Sequence, residues 1–340
     1  GSEMCIRDRQ NMWEVVPLLG YGIVEQQGTQ NPEEDETTCR TLTTEDLISE
    51  ELLLPQPEET QQTALIPESV EATAGTALSN FRPAVQQVQI DRTQLADYET
   101  LVRNFYAIDA NTMAGSDQLS VEKLLGMDMT LPQEGDGPQI LIYHTHSQEA
   151  FADSVPGDVN TGIMGVGECL TKILTEQYGY RVLHNTGQYD VETRDNAYSR
   201  ALPAVEQILA ENPSIQVIID LHRDEVAEET KLVTDIQGRP TARFMFFNGL
   251  SRTRKTGDID YLANENQEAN LAFSFQMQLK AAEYYPGLTR RIYLKGYRYN
   301  MHLRPRTLLV ELGAQNNTVE EAINACDPLA HILDMVLKGE

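Results

Sequence analysis

The stretch Ile140-Leu141-Ile142-Tyr143-His144-Thr145-His146 runs four apolar residues straight into a pair of histidines. It follows a breaker at Gly135–Pro138, and a short continuous apolar run after turn residues reads as a strand buried on both faces. The pattern repeats downstream. Ile215-Gln216-Val217-Ile218-Ile219-Asp220 is a β-branched strand leading into Leu221-His222-Arg223-Asp224, and Leu308-Leu309-Val310 is another, ending in Glu311-Leu312-Gly313. Arg181 to Leu183 and Arg291 to Tyr299 read as further strands, and Lys231 to Ile236 with Arg243 to Phe247 as an antiparallel pair joined at Gly238. Helical spacing fills the gaps: a helix carrying Glu168, Leu170, Ile173 and Leu174, then Ala197 to Leu209, Tyr261 to Tyr284 and Val319 to Leu337. Buried strands alternating with helices predict an α/β fold, a layered mixed sheet flanked by helices. No internal repeat, GxGxxG or Walker loop is present.

Working outward, the sequence divides unevenly. Residues 136–340 hold the strand–helix alternation. Residues 86–135 read as a small, mostly helical lead-in, with Leu95, Tyr98, Leu101, Val102 and Phe105 near helical spacing and a second short helix from Ser120 to Leu125. Residues 25–85 read as an acidic disordered linker. From Asn31 to Thr60 the acids are Glu33, Glu34, Asp35, Glu36, Glu45, Asp46, Glu50, Glu51, Glu58 and Glu59, and the one base is Arg40. High charge with few aromatics buries too little surface to offset chain entropy. Residues 1–24 are an N-terminal segment opening on Gly1-Ser2, which resembles a cloning scar.

The whole chain of 340 residues has a net charge of -26. That balance argues against a nucleic-acid binder, which needs cations along a phosphate backbone, and against docking on an anionic membrane. No run of about 18 apolar residues occurs, so no segment is expected to span a bilayer. Cys5, Cys39, Cys169 and Cys326 are too far apart for a CxxC metal pair and too few for a disulfide framework.

The chemistry concentrates at strand ends. Of six histidines, His144, His146 and His222 directly follow apolar strands, while His184 and His331 read as structural. Ligands of open α/β sheets bind at the carboxyl ends of strands. Three strands therefore deliver His, His and Glu311 to one edge, with Glu168 at a nearby helix start. A catalytic zinc takes three nitrogen or oxygen ligands and keeps one position open. Each group alone has a plainer reading: an HxH pair hydrogen-bonds locally, and a glutamate opening a helix complements its dipole. Their joint placement favours a metal.

Here the residues carry a resemblance. The runs Ile140-Leu-Ile-Tyr-His-Thr-His-Ser-Gln-Glu-Ala-Phe151, Asp220-Leu-His-Arg-Asp224, Leu294-Lys-Gly-Tyr-Arg-Tyr-Asn300 and Leu308-Leu-Val-Glu-Leu-Gly-Ala-Gln-Asn-Asn-Thr318 look like the stage II sporulation protein P family. That family resembles the zinc-dependent N-acetylmuramoyl-L-alanine amidases. The resemblance runs from about residue 90 to 340 and implies an amidase-like fold, Zn2+ held by His146, Glu168 and His222, and Glu311 as catalytic base. His144 and His146, two apart, face the same side of an extended segment. Either reaches the metal, or one ligates while the other orients substrate; His146 is preferred because the amidase pattern has one histidine here. The resemblance further implies cleavage of the amide between N-acetylmuramic acid and L-alanine in peptidoglycan, an endopeptidase activity on peptide cross-links, and a role in spore engulfment. It implies the partner lytic transglycosylase, stage II sporulation protein D, and the membrane protein M. The location implied is extracytoplasmic, between the forespore membranes, with full-length relatives anchored and the present chain soluble.

Around this set, Asp220 and Asp224 are candidates to orient a ligand imidazole, and Arg223 to stabilise an oxyanion or form a surface salt bridge. Arg252, Arg254 and Lys255 form a basic loop suited to substrate carboxylates. Asn270 with Gln276 is a candidate to face the cleft. In Tyr297-Arg298-Tyr299-Asn300 the tyrosines read as core packing before sugar stacking. Two rival readings remain, an inactive cell-wall-binding scaffold of the same fold and a metallo-peptidase or deacetylase on the same site.

Overall fold

The computed structural model describes residues 80–340 and, as backbone, Leu53–Leu54. Nearly all of the expected linker, and the whole N-terminal segment, lie outside the described residues. The elements in chain order are β1 (Leu53–Leu54), β2 (Gln89–Ile90), α1 (Tyr98–Phe105), β3 (Tyr106–Ile108), α2 (Val121–Gly126), β4 (Ile140–Tyr143), α3 (Ile163–Glu176), β5 (Val182–His184), α4 (Ala197–Glu211), β6 (Val217–Asp224), β7 (Val233–Ile236), β8 (Arg239–Ala242), β9 (Phe244–Gly249), β10 (Arg252–Thr253), β11 (Gly257–Asp258), α5 (Gln267–Tyr284), β12 (Ile292–Lys295), β13 (Arg306–Ala314) and α6 (Val319–Lys338).

Seven strands form the central sheet in the order β3-β12-β9-β13-β6-β4-β5. β13, β6, β4 and β5 are mutually parallel, and β3, β12 and β9 are parallel to one another. The two groups meet antiparallel at β13 and β9. The sheet is therefore mixed, as expected. β7 and β8 form a hairpin turning at Gly238, whose φ of 79° suits glycine. The strand expected to pair across that turn begins at Phe244 instead and enters the central sheet as β9.

The two faces divide by the alternation of strand side chains. Ile140, Ile142, Val217, Ile219, Leu221, Leu308, Val310 and Leu312 face the main core with α3, α5 and α6. Leu141, Tyr143 and Ile218 face α4, while Leu309 packs with Met245, Phe247, Tyr198 and Tyr299. His222 shares parity with Ile218, and Glu311 with Leu309, so both point to this second face. α5 is buried on nearly every side, as a helix covered by the sheet, α2 and α6 must be. α6 opens on a capping box, with Thr318 and Glu321 each bonding the other's backbone.

The lead-in departs from its expected character. Tyr106 to Ile108 leaves α1 as an extended strand and becomes the edge of the central sheet, so this region is part of the main body. Gln276 on α5 donates to the carbonyls of Leu124 and Met127, both at 2.9 Å, tying α2 down. The linker boundary also moves. Phe81 stacks on Tyr285 at 6.2 Å between ring centroids, and Gln87 and Val88 donate to the Glu283 carbonyl. The aromatic at 81 gives the chain a place to dock before residue 85. Among the described residues no helix is long and apolar enough to cross a membrane.

Candidate functional site

Because β4, β6 and β13 are parallel, their carboxyl ends open on one edge. The turn after β4 carries His146, β6 carries His222, and β13 carries Glu311 in register with His222. A bulge follows at once: pairing shifts between Glu311 and Ala314, and Gly313 takes a φ of 63°. Such a bulge bends the strand end and re-aims side chains near it. His146, His222 and Glu311 line a narrow cleft together with Arg194, Tyr198, Phe247, Tyr299 and Leu309. The two imidazole centroids are 5.4 Å apart, and Tyr198 stacks beside His222 at 6.3 Å.

Carboxylates hold these rings. Asp220 accepts the Thr145 N–H at 2.9 Å and its hydroxyl at 2.7 Å, joining the β4 turn to β6. Its Oδ1 also lies 2.8 Å from His222 Nε2, close in charge but off the line of a hydrogen bond. Asp190 accepts from the backbone and hydroxyl of Ser147 and stands 3.6 Å from His146 Nδ1. Glu149 completes the cluster. One of its oxygens takes Arg194 Nη2 at 2.8 Å, and the other takes the Arg223 backbone N–H at 2.8 Å and lies 3.7 Å from His222 Nδ1.

Electrostatics separate the carboxyls. Burial pushes Glu311 up to about 8, the Asp224 charge adding to it and His222 opposing. Burial acts on Glu149 too, but His222 and then Arg194 and Arg223 outweigh it and hold the group well below the usual carboxylate range. His222 is raised well above an ordinary histidine, because Asp220 and Glu149 overcome its burial. His146 is lowered, chiefly by burial. One carboxyl thus keeps a proton near neutrality while the others stay ionised, the arrangement by which sites divide acid from base roles.

Two imidazoles and a carboxylate are the donor types a catalytic zinc takes. His146 Nδ1 and His222 Nε2 face the Asp190 and Asp220 carboxylates, and Glu311 Oε2 is buried without a hydrogen-bond partner, as a proton-transfer atom would be. The donor chemistry fits. The arrangement is not yet coordinating, since among the described residues no three such side chains converge on one point.

Several expected residues stand elsewhere. Glu168 sits on α3 with its side chain 72% exposed and pairs with His184 at 3.0 Å, so it does not join His146 and His222; Glu149 stands there instead. The His-x-x-Glu spacing in His146-Ser-Gln-Glu149 carried that signal. His144 is buried behind the cleft, Nδ1 against the Leu221 carbonyl at 2.7 Å and Nε2 against His184 at 2.9 Å. Gly167 is needed there, because a Cβ would come 2.4 Å from His144 Nε2. Asp224 makes a buried ion pair with Arg290 at 2.9 Å. The Arg223 side chain bonds the Ala150 carbonyl, and only its backbone reaches the cluster. Asn270 is a clamp, donating to Met301 and accepting the Thr307 N–H at the start of β13. Arg252 of the basic loop faces Asp258 at 3.7 Å. The strand expected to reach Tyr299 stops at Lys295, and Tyr299 turns back into the cleft wall with a φ of 52°. Arg194, Asp190 and Tyr198 carry no sequence signal of their own, since loop closure alone brings them in.

Fold and cluster define a class: a mixed-sheet α/β protein with two histidines, two glutamates and an arginine gathered at the carboxyl edge of its parallel strands. The sequence model of the stage II sporulation protein P family matches residues 35–334, and the chain belongs to that family. Stage II sporulation protein P of Bacillus subtilis (strain 168) is 26% identical over 217 residues, 58% of this chain and 51% of that protein. The chain spans about half the length of this relative. Among solved structures it is similar to the N-acetylmuramoyl-L-alanine amidase of Clostridium difficile 630, at 14% identity, 59% of this chain, 95% of that one and a TM-score of 0.36. The catalytic domain of the CD27L endolysin targeting Clostridia difficile gives 13%, 60%, 98% and 0.38. A metallo-carboxypeptidase from Burkholderia cenocepacia gives 10%, 62%, 60% and 0.35. TM-scores this low describe a loose likeness and say nothing of the site.

Proposed function

We propose that this protein is a zinc-dependent peptidoglycan hydrolase of sporulation that cleaves the amide between N-acetylmuramic acid and L-alanine. The observation that carries the reading is the gathering of His146, His222 and Glu311 around one cleft, with Glu149 buried beside His222, in a chain of the stage II sporulation protein P family. His146, His222 and Glu149 would hold the ion, which supplies Lewis acidity to the scissile carbonyl and makes nearby water more acidic. Glu311 in its ionised form takes the proton of the attacking water, and a carboxyl held at about 8 keeps that proton until it is returned to the leaving amine. Asp190 orients the His146 ring, and Asp220 holds His222. Tyr198, Tyr299 and Phe247 wall the cleft and exclude bulk water.

Endopeptidase cleavage of cross-links, cooperation with stage II sporulation protein D and protein M, and action between the forespore membranes belong to the same proposal. A wall-binding scaffold without activity is the second reading, favoured by the Arg194–Glu149 ion pair, which occupies a ligand carboxylate. Digestion of purified sacculi with zinc tests both. New L-alanine amino groups that vanish with chelator are expected; sacculi bound intact by zinc-loaded protein would leave the scaffold.

A further inference from the structure

Arg194 lies in the loop between β5 and α4, and its guanidinium lines the cleft with Glu311, Tyr198 and Tyr299. Nη2 donates to Glu149 Oε1 at 2.8 Å, while Nε is buried with no hydrogen-bond partner. The contact is therefore single, although the guanidinium fork can engage a carboxylate through two parallel bonds. The Arg194 side chain is 34% exposed and that of Glu149 is 1% exposed. A carboxylate so buried needs a cation beside it. Its two oxygens are held differently. Oε2 is fixed by the main-chain N–H of Arg223, within β6, which no side-chain rotation releases. Oε1 is held by Arg194, on a long side chain from a loop.

We propose that Arg194 is a displaceable counter-ion of Glu149: the cation that binds Glu149 takes over Oε1, and the released guanidinium turns to a carboxylate of the acyl-peptide substrate. This rests on Glu149 as a metal ligand, as argued above. The exchange swaps one positive charge for another at a buried anion, so the carboxylate is never left bare. It also leaves a planar fork facing the cleft, and that fork matches a carboxylate in shape and charge. Arg194 thereby serves two states of one site, first closing it and then positioning substrate.

The test is a zinc titration of the full chain against a chromophoric chelator, for wild type, Arg194→Gln and Arg223→Gln. Loss of a charge-assisted competitor should make Arg194→Gln bind zinc about ten-fold tighter. Arg223→Gln keeps the main-chain N–H on Glu149 and removes the same charge from a side chain bonded to the Ala150 and Asp224 carbonyls, so it reads the effect of nearby charge alone and should tighten zinc by no more than about two-fold. Equal tightening in both variants reduces Arg194 to bulk charge and overturns the exchange, as does unchanged or weaker binding in Arg194→Gln. Arg194→Met repeats the measurement if the glutamine variant does not fold. With zinc bound, Arg194→Gln should raise KM about ten-fold for an acyl-peptide with a free carboxylate, leave kcat within about three-fold, and match wild type on the carboxamide-capped substrate. A fall in kcat with KM unchanged overturns the substrate role. Wild type that takes up no zinc removes the ligand reading itself, a failure distinct from the others.

Discussion

Three residues past His146, Glu149 occupies the position expected of Glu168. Both are carboxylates near the same histidines in sequence, and only burial separates them: one is sealed against Arg194 and Arg223, the other sits in solvent. His146, His222 and Glu311 were legible because each ends an apolar strand, whereas the carboxylate that joins them comes from a loop whose path no periodicity encodes. At this scale, His222→Ala should lose zinc, read as metal per chain after dialysis; full retention would remove His222 from the ligand set. Glu311→Gln should keep its metal and lose about 10²–10⁴-fold in hydrolysis of sacculi, the usual contribution of a general acid–base group. The same variant has a stability signature in chelator. Glu311 holds its proton up to about 8, above its unfolded value, so its contribution to folding is complete at acid pH and lost as pH rises through 8. Wild type should therefore lose thermal stability between about pH 5 and 8, and Glu311→Gln should lose less. Parallel melting curves across that range would refute it.

At the scale of elements, β6 and β13 do most of the positioning. Their register sets His222 beside Glu311, and the bulge at Gly313 ends regular pairing just past the site. β6 then terminates on Asp224, whose ion pair with Arg290 has neither side chain exposed. Breaking one partner of such a pair leaves a bare charge inside, which costs about 3–5 kcal/mol. Arg290→Met should show a loss of that order in urea unfolding; a change below about 1 kcal/mol would mean that water reaches Asp224. Asp224 was expected to orient an imidazole because it follows the Asp-Leu-His run. Its carboxylate is taken up instead by Arg290, which arrives from a distant loop. β3 went unread for a related reason. Three residues after a helix are too few to display alternation, and what makes Tyr106-Ala107-Ile108 a strand is the open edge of β12.

For the whole molecule, the net charge of -26 describes the N-terminal part more than the cleft, since about half of it falls within residues 1–79. Phe81 docks on Tyr285, and Gln87 and Val88 on the Glu283 carbonyl. A chain beginning at residue 80 should melt within a few degrees of the full protein, whereas one beginning at residue 97 loses Ile90 and Leu95 from the core and should melt about 5–10 °C lower. Equal melting temperatures would show that the segment adds nothing to the body. The sequence by itself determined the buried strands, the helices between them and the edge where chemistry gathers. Apolar runs, helical spacing and turn residues are local signals, and a parallel strand must end where ligands bind. Only the tertiary structure decided that the sheet reverses direction between β13 and β9, that Tyr106 to Ile108 closes its edge, and that Glu149, Asp190 and Arg194 complete the cluster while Glu168, Asn270 and His144 do not. Those choices depend on loop closure and on which polar groups lose their water, and both are properties of the packed chain rather than of any stretch within it.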